Sequence, residues 1–469
     1  MALLHGTDLI RAANTAPANQ PDVVLIVVDD LNDWIGVMNG HPQSLTPHFD
    51  QLAARGVLFR NAHCNAPQCR PSRKSLLSGL FPKSTGTYFN NTARPSFFGD
   101  QPMSGKTSQA EINDPVILHE HFQRQGYRVV SGGKVAHYTK PKATLDAYLP
   151  LPKQDPDRKY VGQGNFFSKG AHDLSDEKTG DHQVASWAIK QWETVTDKPL
   201  LMTVGFYRPH RPLDAPRKYF ERFPVEQVML PLLPKFDDWN DLPTYAKSLA
   251  RSHAHRKFHQ GRFSDHEAIV NKGGDLEWKR TVGAYLSCVH YVDAQIGLLL
   301  EQFRRNPRRR PTMLILTSDH GWHLGEKKHW CKGALWRNTT RVPFIVVAPG
   351  LARAGTISDQ PVSLVDVYPT LCEMANINPP PHLEGRSICG LLRDPELKRD
   401  FAFSSYGPRN TAVQTENLRY IRYEDQSEEL YDHRSDPHEW DNLADRRDYA
   451  AIKKKLTSAA MRFEEHPTN

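Results

Sequence analysis

The chain has 469 residues, of which 39% are hydrophobic and 24% charged. That balance belongs to a folded protein with room for one large domain and a smaller one, and it excludes a disordered or low-complexity chain. The 60 Lys and Arg against 53 Asp and Glu leave a net +7, a mild excess that suits anionic partners without indicating nucleic acid.

The amino-terminal stretch MALLHGTDLIRAANTAPA ends in an A-x-A-like Ala16-Pro17-Ala18, but Asp8 and Arg11 interrupt the apolar region that a secretory signal needs. Residues 1–20 therefore read as a disordered lead or the remnant of an export signal, with a periplasmic or secreted destination. The apolar run at 23–28 is the longest in the chain and far too short to span a membrane. Similar runs recur at 200–205, 313–317 and 344–348, each followed by loop signals and a helix-like stretch. This alternation predicts an α/β domain whose largely parallel sheet is covered on both faces.

A helix is predicted over TPHFDQLAARG, with Thr46 as cap, Pro47 in the first position and Gly56 at the end, and another over 363–375. Residues 139–180 and 231–275 read as long irregular loops of the kind that form lids or insertions. His253, His255 and His259 lie in the second of these without a carboxylate or cysteine at ligand spacing, and read as part of a mobile insertion. The basic run at 304–310 reads as a solvated turn between a helix and a strand. Six scattered cysteines (64, 69, 288, 331, 372 and 389) have no paired spacing and supply no disulfide framework, with a single Cys372–Cys389 bridge left open. The texture turns hairpin-like after about residue 395. The chain thus divides into a main domain over 21–395 and a small carboxyl-terminal subdomain over 396–469.

In an open parallel sheet, ligands gather beyond the carboxyl ends of the strands. The run at 23–28 ends in Asp29 and Asp30, and the run at 313–317 leads into Asp319 and His320. Adjacent carboxylates repel unless a cation lies between them, and hard oxygen donors suit Ca²⁺ or Mg²⁺. A single Asp after a strand is commonly just a helix cap. Two such pairs ending two strands of one sheet point to a metal. Lys134 and His137 follow a third strand in VVSGGKVAH, and Arg208, His210 and Arg211 follow a fourth in LMTVGFYRPHRP. Trp322 and Lys332 lie in SDHGWHLGEKKHWCKG, just past the second carboxylate pair. Together these groups describe a pocket for a tetrahedral oxyanion ester with acid and base groups at hand. Trp322 and Trp336 read either as platforms for a sugar ring or as packed side chains.

The stretch NAPQCRPSRKSLLSG places Cys69 two residues before Pro71, a residue suited to the first helical position. Cys69 would then lie at a helix amino terminus, where backbone N–H groups favour an anion. Its neighbours Gln68, Arg70, Ser72 and Arg73 are too polar for a merely packed thiol, which leaves a thiolate nucleophile as the next reading.

Cys69-Arg70-Pro71-Ser72-Arg73 resembles the C-x-P-S-R signature of the type I, formylglycine-dependent sulfatases. Nearly the whole chain shares the likeness, through VVLIVVDDLNDW, TPHFDQLAARGVLFRNAHCNAPQCRPSRKSLLSGLFP, GYRVVSGGKVAH, GFYRPHRP and TSDHGWHLGEKKHW. Within that family it is most similar to iduronate-2-sulfatase-like enzymes. The resemblance implies an alkaline-phosphatase-like α/β sandwich with a large, mostly parallel sheet and a smaller carboxyl-terminal α+β subdomain. It implies that a formylglycine-generating or anaerobic sulfatase-maturing enzyme oxidises Cys69 to formylglycine. Ca²⁺ would then be held by Asp29, Asp30, Asp319 and His320, and would touch residue 69. Arg73 would lower the pKa of one hydroxyl of the hydrated aldehyde, which attacks sulfur. Lys134 and Lys332 would hold sulfate oxygens, and His210 would serve the leaving oxygen. His137 would take a proton from the second hydroxyl, expelling sulfate and restoring the aldehyde.

The implied substrate is a sulfated saccharide cut from a chain end, such as a glycosaminoglycan, contacted by Arg208, Arg211, Trp322 and Trp336. Two rivals stand beside this reading: a phosphomonoester or phosphonate hydrolase of the same fold, and a non-catalytic binder of sulfated glycans. The intact pentapeptide argues against the first. His137 and His210, which a binder does not need, argue against the second.

Overall fold

The structure, a computed structural model, describes residues 20–90, 115–141, 143–154, 160–161, 167–252 and 265–465. Its organising element is the strand β1, Asp22–Val28, all of whose residues are buried. Val24, Ile26 and Val28 enter one hydrophobic cluster and Val23, Leu25 and Val27 enter another. Period-two alternation therefore sends apolar side chains to both faces, as a central strand requires. Each such side chain contributes about 1.5–3 kcal/mol through burial.

Seven further strands complete the main sheet: β2 (Val57–Phe59), β3 (Arg128–Gly133), β4 (Ala147–Leu149), β5 (Leu200–Phe206), β6 (Thr312–Ser318), β7 (Phe344–Val347) and β8 (Thr356–Ser358). Their order is β8-β2-β7-β6-β1-β5-β3-β4. The pairings are parallel except β6–β7 and β7–β2. The registers place Val28 opposite both Phe206 and Ser318, and Gly133 opposite Gly205. The carboxyl ends of β3, β5, β1 and β6 are thus flush, so the residues that follow them emerge at one edge.

One face of the sheet is covered by α1 (Pro47–Ala54), α4 (Gly180–Glu193) and α5 (Asp265–Arg305), through Phe49, Val184 and Val289 among others. The other is covered by α2 (Cys69–Ser78), α3 (Leu118–Arg124) and α6 (Val367–Met374), through Leu76, Phe122 and Leu371. The result is the α/β sandwich expected. Beyond it, β9 (Ala402–Ser405), β10 (Thr411–Gln414), β11 (Leu418–Arg422) and β12 (Glu428–Asp432) form an antiparallel sheet, packed by α7 (Ala450–Glu465).

Several local expectations change. Thr46 does not cap α1 with its side chain; its Oγ1 accepts from Gly36 N at 2.8 Å. Asp293 of α5 takes the role instead, Oδ1 accepting from His48 N at 3.1 Å and Phe49 N at 2.9 Å. Residues 139–180 are not a bare loop, since they carry β4 and the strand Ser168–His172. Residues 231–275 contain the helix Thr244–Ser252 and the start of α5, whose Gly273 and Gly274 depart from helical geometry. His253, His255 and His259 lie outside the described residues. The basic run at 304–310 is tied down, with Arg308 Nε 2.7 Å from Asp22 Oδ2 and Arg310 donating to the Gln20 and Asp197 carbonyls. All six cysteines are free and buried, so no Cys372–Cys389 bridge forms. Among the described residues, no helix is long and apolar enough to cross a membrane.

Candidate active site

Helix α2 begins at Cys69 itself, after the extended Gln68, and ends at Gly79 with φ 69°. Pro71 is therefore the third helical residue rather than the first. The position suits it equally, because that N–H also lacks an intrahelical acceptor. The segment sets the thiol against the flush strand ends. Cys69 Sγ lies 2.9 Å from Lys332 Nζ, 3.3 Å from His320 Nε2 and 3.8 Å from Asp30 Oδ1. Burial works against the thiolate, yet Lys134, Lys332 and His320 crowd the sulfur and hold the thiol well below its usual range.

Asp29, Asp30, Asp319 and His320 are buried together beneath it. Asp30 adopts φ 59°, and its backbone N–H donates to Asp319 Oδ1 at 3.0 Å. His320 Nε2 is 3.3 Å from Asp30 Oδ1 and 3.6 Å from Asp319 Oδ2. Burial disfavours the imidazolium, but Asp319, Cys69 and Asp30 together outweigh it and raise His320 to about 9. Burial likewise pushes Asp319 up to about 7, in spite of Arg73. Asp29 is also penalised by burial, but Lys134, His210 and Arg73 together hold it below the usual carboxylate range.

These residues fit a divalent cation. Ligand atoms of Asp29, Cys69, Asp319 and His320 lie within 4.8 Å of one another, as do those of Asp29, Asp30, Cys69 and His210. Asp30 Oδ2 is buried and accepts no hydrogen bond, with His210 Nε2 3.9 Å away. An orphaned carboxylate oxygen among hard donors suits Ca²⁺ better than a soft metal.

The cations are placed by the fold. Lys134 follows β3, and its carbonyl passes so close to Gly205 that a Cβ there would lie 2.1 Å from it. Its Nζ bonds Asp29 Oδ2 and lies 4.7 Å from the Tyr138 ring. Lys332 Nζ is 2.6 Å from Asp30 Oδ1. Arg73 Nε is 2.9 Å from Asp319 Oδ2 and its NH2 is 3.0 Å from Asp29 Oδ1, while NH1 bonds the carbonyls of Lys134 and Val135. Its guanidinium thus braces the two strand-end carboxylates. His210 bonds the Arg211 carbonyl through Nδ1 at 2.7 Å, leaving Nε2 toward Asp30. His137 is partly buried at φ 58° beside a cleft of about 600 Å³, which Arg70, Lys74 and Lys140 also line.

Three expected substrate contacts are corrected. Arg208 is buried, with Nε donating to the Asp214 carbonyl at 2.8 Å, NH2 paired with the Asp214 carboxylate, and NH1 donating to the His210 carbonyl at 3.0 Å. Its charge is spent on shaping the 207–214 turn. Trp322 is 1% exposed, with Lys332 Nζ 5.6 Å from its ring, and Trp336 is 1% exposed, with Nε1 donating to Glu429 Oε2 at 2.8 Å. Neither offers a face to a sugar. Arg211 is partly buried, and its side chain makes no hydrogen bond or ion pair among the described residues, so it stays available to a ligand.

Sequence reasoning missed the residues that hold the machinery from a distance. Asp181 of α4 accepts from Tyr207 N at 2.7 Å and Arg208 N at 2.9 Å. Tyr285 of α5 donates to the Asp30 carbonyl at 2.8 Å and accepts from Asn32 N at 3.0 Å. Tyr285 sits inside a long helix and Asp181 in the first turn of α4, where an acid reads as an ordinary helix-start residue.

Comparison with known proteins identifies the family. The family model described as "Sulfatase" matches residues 21–377, and "N-sulphoglucosamine sulphohydrolase, C-terminal" matches 325–466. A "Sulfatase" of Formosa agariphila is 34% identical, over 91% of this chain and 83% of that protein. Human iduronate 2-sulfatase is 27% identical, over 81% and 75%. A solved structure of a protein in complex with its substrate D-glucosamine-2-N,6-O-disulfate superposes with a TM-score of 0.73 at 21% identity, covering 95% of this chain and 98% of that one. The iduronate-type likeness is thus one of several, and a bacterial relative has the higher identity. With a family model spanning most of its length and the family's pentapeptide set at the strand ends of the family's fold, this chain belongs to the sulfatase family.

Proposed function

We propose that the protein hydrolyses the sulfate ester of a sulfated saccharide from a chain end, with formylglycine made from Cys69 as the nucleophile and Ca²⁺ held by Asp29, Asp30, Asp319 and His320. The observation that carries this reading is the convergence of Cys69 Sγ, Lys332 Nζ and His320 Nε2 on three buried carboxylates, one of them with an orphaned oxygen. The thiol here stands for the aldehyde carbon and its hydroxyls in the converted protein. When bound, Ca²⁺ would supply positive charge toward a sulfate oxygen and toward the nucleophilic hydroxyl.

The chain's own groups divide the remaining work. Arg73 keeps Asp29 and Asp319 aimed at the cation position. Lys134 and Lys332 each carry three N–H donors, enough to share one with a carboxylate and offer another to a sulfate oxygen. His210, with Nδ1 toward the Arg211 carbonyl, presents Nε2 to the leaving oxygen. His137, at the mouth, serves as the base for the second hydroxyl. Arg211 and the Arg70–Lys140 cleft supply positive charge for a neighbouring carboxylate or a second sulfate, and an arginine grips such a group in a bidentate way. The names of relatives that act on uronate and glucosamine sulfates support the saccharide. Cys69 is 1% exposed, so its conversion by a formylglycine-generating or anaerobic sulfatase-maturing partner belongs to the chain before this site closes.

The test is a panel of defined sulfated mono- and disaccharides, assayed with converted protein for released sulfate beside an aryl sulfate and a phosphonate monoester. Sulfate release from at least one saccharide is expected. Turnover confined to aryl or choline sulfates would refute the saccharide, and turnover confined to the phosphonate would refute sulfate as the natural ester.

A further inference from the structure

A second cleft, of about 720 Å³, lies among the loop after β1, the 326–341 segment and the turn at 437–440. It shares no lining residue with the strand-end cluster. Buried Trp322 stands between the two, with Lys332 on its ring and its backbone N–H on the carbonyl of Asn338, a residue of the cleft.

Three cations line this cleft, and each keeps a buried donor with no hydrogen-bond partner: Arg337 Nε, Arg341 Nε and Lys327 Nζ. Arg341 is 8% exposed and Lys327 is 4% exposed. Ion pairs meet part of this charge: Asp33 Oδ2 is 3.2 Å from Arg341 NH1, and Asp238 Oδ2 is 3.7 Å from Lys327 Nζ, which also lies over the Trp336 and Tyr431 rings. Glu326 turns its Oε2 to Leu324 N at 2.6 Å, and burial raises its carboxyl to about 7. Burial and the neighbouring Arg341 pull the Arg337 guanidinium down to about 9. Arg337 NH1 donates to the Pro437 carbonyl at 2.9 Å, and the buried donors left over on these cations have room for a further anion. Beside them His438 and Trp440 stack with ring centroids 4.8 Å apart at 18°, and exposed Met229 and Leu232 form an apolar rim. An acidic group joined to a flat, partly apolar ring matches both halves of this surface.

We propose that this cleft is a non-catalytic binding site for a sulfated saccharide segment, whose acidic group is taken by Arg337, Arg341 and Lys327 and whose ring lies on the His438–Trp440 pair. The room for an anion rests on the cleft itself; the choice of a saccharide rests on the function proposed above. Such a site holds a second stretch of a sulfated chain while the strand-end cluster works on its end, raising the local concentration of substrate without touching the reacting bond.

The experiment uses the full chain with Cys69→Ala, so that nothing is turned over. Sulfated tetrasaccharides from heparin, chondroitin sulfate and carrageenan, and their desulfated counterparts, are titrated into it by calorimetry, alone and with Trp440→Ala, His438→Ala or Arg337→Gln added. At least one sulfated tetrasaccharide is expected to bind in a sulfate-dependent manner, and each added substitution to weaken that binding about tenfold. The same substitutions in converted protein should leave aryl sulfate turnover unchanged. The exposed His438→Ala keeps the test decisive even where Arg337→Gln disturbs folding. No sulfate-dependent binding, or equal affinity in all the variants, overturns the proposal. Converted protein that frees no sulfate from any saccharide, while these substitutions still weaken binding, sinks the catalytic reading and leaves the cleft standing.

Discussion

The strand-end cluster and the 326–341 cleft both gather buried cations, and they differ in what stands opposite. In the cluster, Arg73, Lys134 and Lys332 each rest on a carboxylate of Asp29, Asp30 or Asp319, so the charges are largely settled before any ligand arrives. Such pairing holds the groups within narrow limits, as in-line chemistry needs. In the cleft, Arg337, Arg341 and Lys327 keep unpartnered donors beside an aromatic pair. That arrangement suits holding a ligand rather than transforming one. Arg208 and Arg211 repeat the lesson within a single turn: the first is consumed by Asp214, while the second makes no pair among the described residues.

The sharpest way to break this comparison is at residue 69. Cys69→Ala should lower sulfatase turnover by about 10⁴-fold or more while leaving saccharide binding at the cleft unchanged, because the nucleophile acts only in the transition state. Near-normal turnover by this variant, in steady-state assays checked by intact mass for the thiol-to-aldehyde conversion of the parent, would end the formylglycine reading. Next in size, Asp319→Asn should cost about 10²-fold or more in turnover by removing one negative charge from the cation and one partner from Arg73. Calcium titration followed by calorimetry should show weakened binding, and chelation should abolish the parent's activity. Unaltered calcium affinity would remove Asp319 from the ligand set.

The two arginines sharpen the contrast further. Arg208→Ala should destabilise the fold by about 3–5 kcal/mol in denaturant unfolding, because the buried Asp214 loses its ion pair with Arg208. Arg211→Ala should leave stability within about 0.5 kcal/mol of the parent. It should raise KM for an acidic sulfated saccharide about tenfold while sparing an aryl sulfate. Equal stability losses would show that Arg211 is structural after all. The smallest effect on catalysis is expected at the cleft, where Trp440→Ala should weaken polymer affinity about tenfold and leave kcat on small esters untouched.

Much of the candidate site was legible because its groups follow strand ends within a few residues. Asp29-Asp30, Lys134, His210 and Asp319-His320 each trail an apolar run, and Cys69 to Arg73 is a contiguous signature. The cleft left no such trace. Its cations and its aromatic pair are about a hundred residues apart in the chain, and no local period joins Arg337 to Trp440. Trp322 and Trp336 show the opposite limit. Their motif placed them near the chemistry, but only packing could show that 1% exposure denies them a sugar.

What the sequence determined by itself was the sulfatase family, the buried central strands and a list of candidate reacting groups at their ends. Those properties depend on residue type and on spacing over a few positions, which the chain carries directly. Only the tertiary structure decided which charges are already paired, which aromatic faces are covered, and that Asp293 rather than Thr46 caps α1. Such outcomes turn on contacts between segments hundreds of residues apart, like Arg73 with Asp319, and on the balance of burial against pairing that each contact strikes.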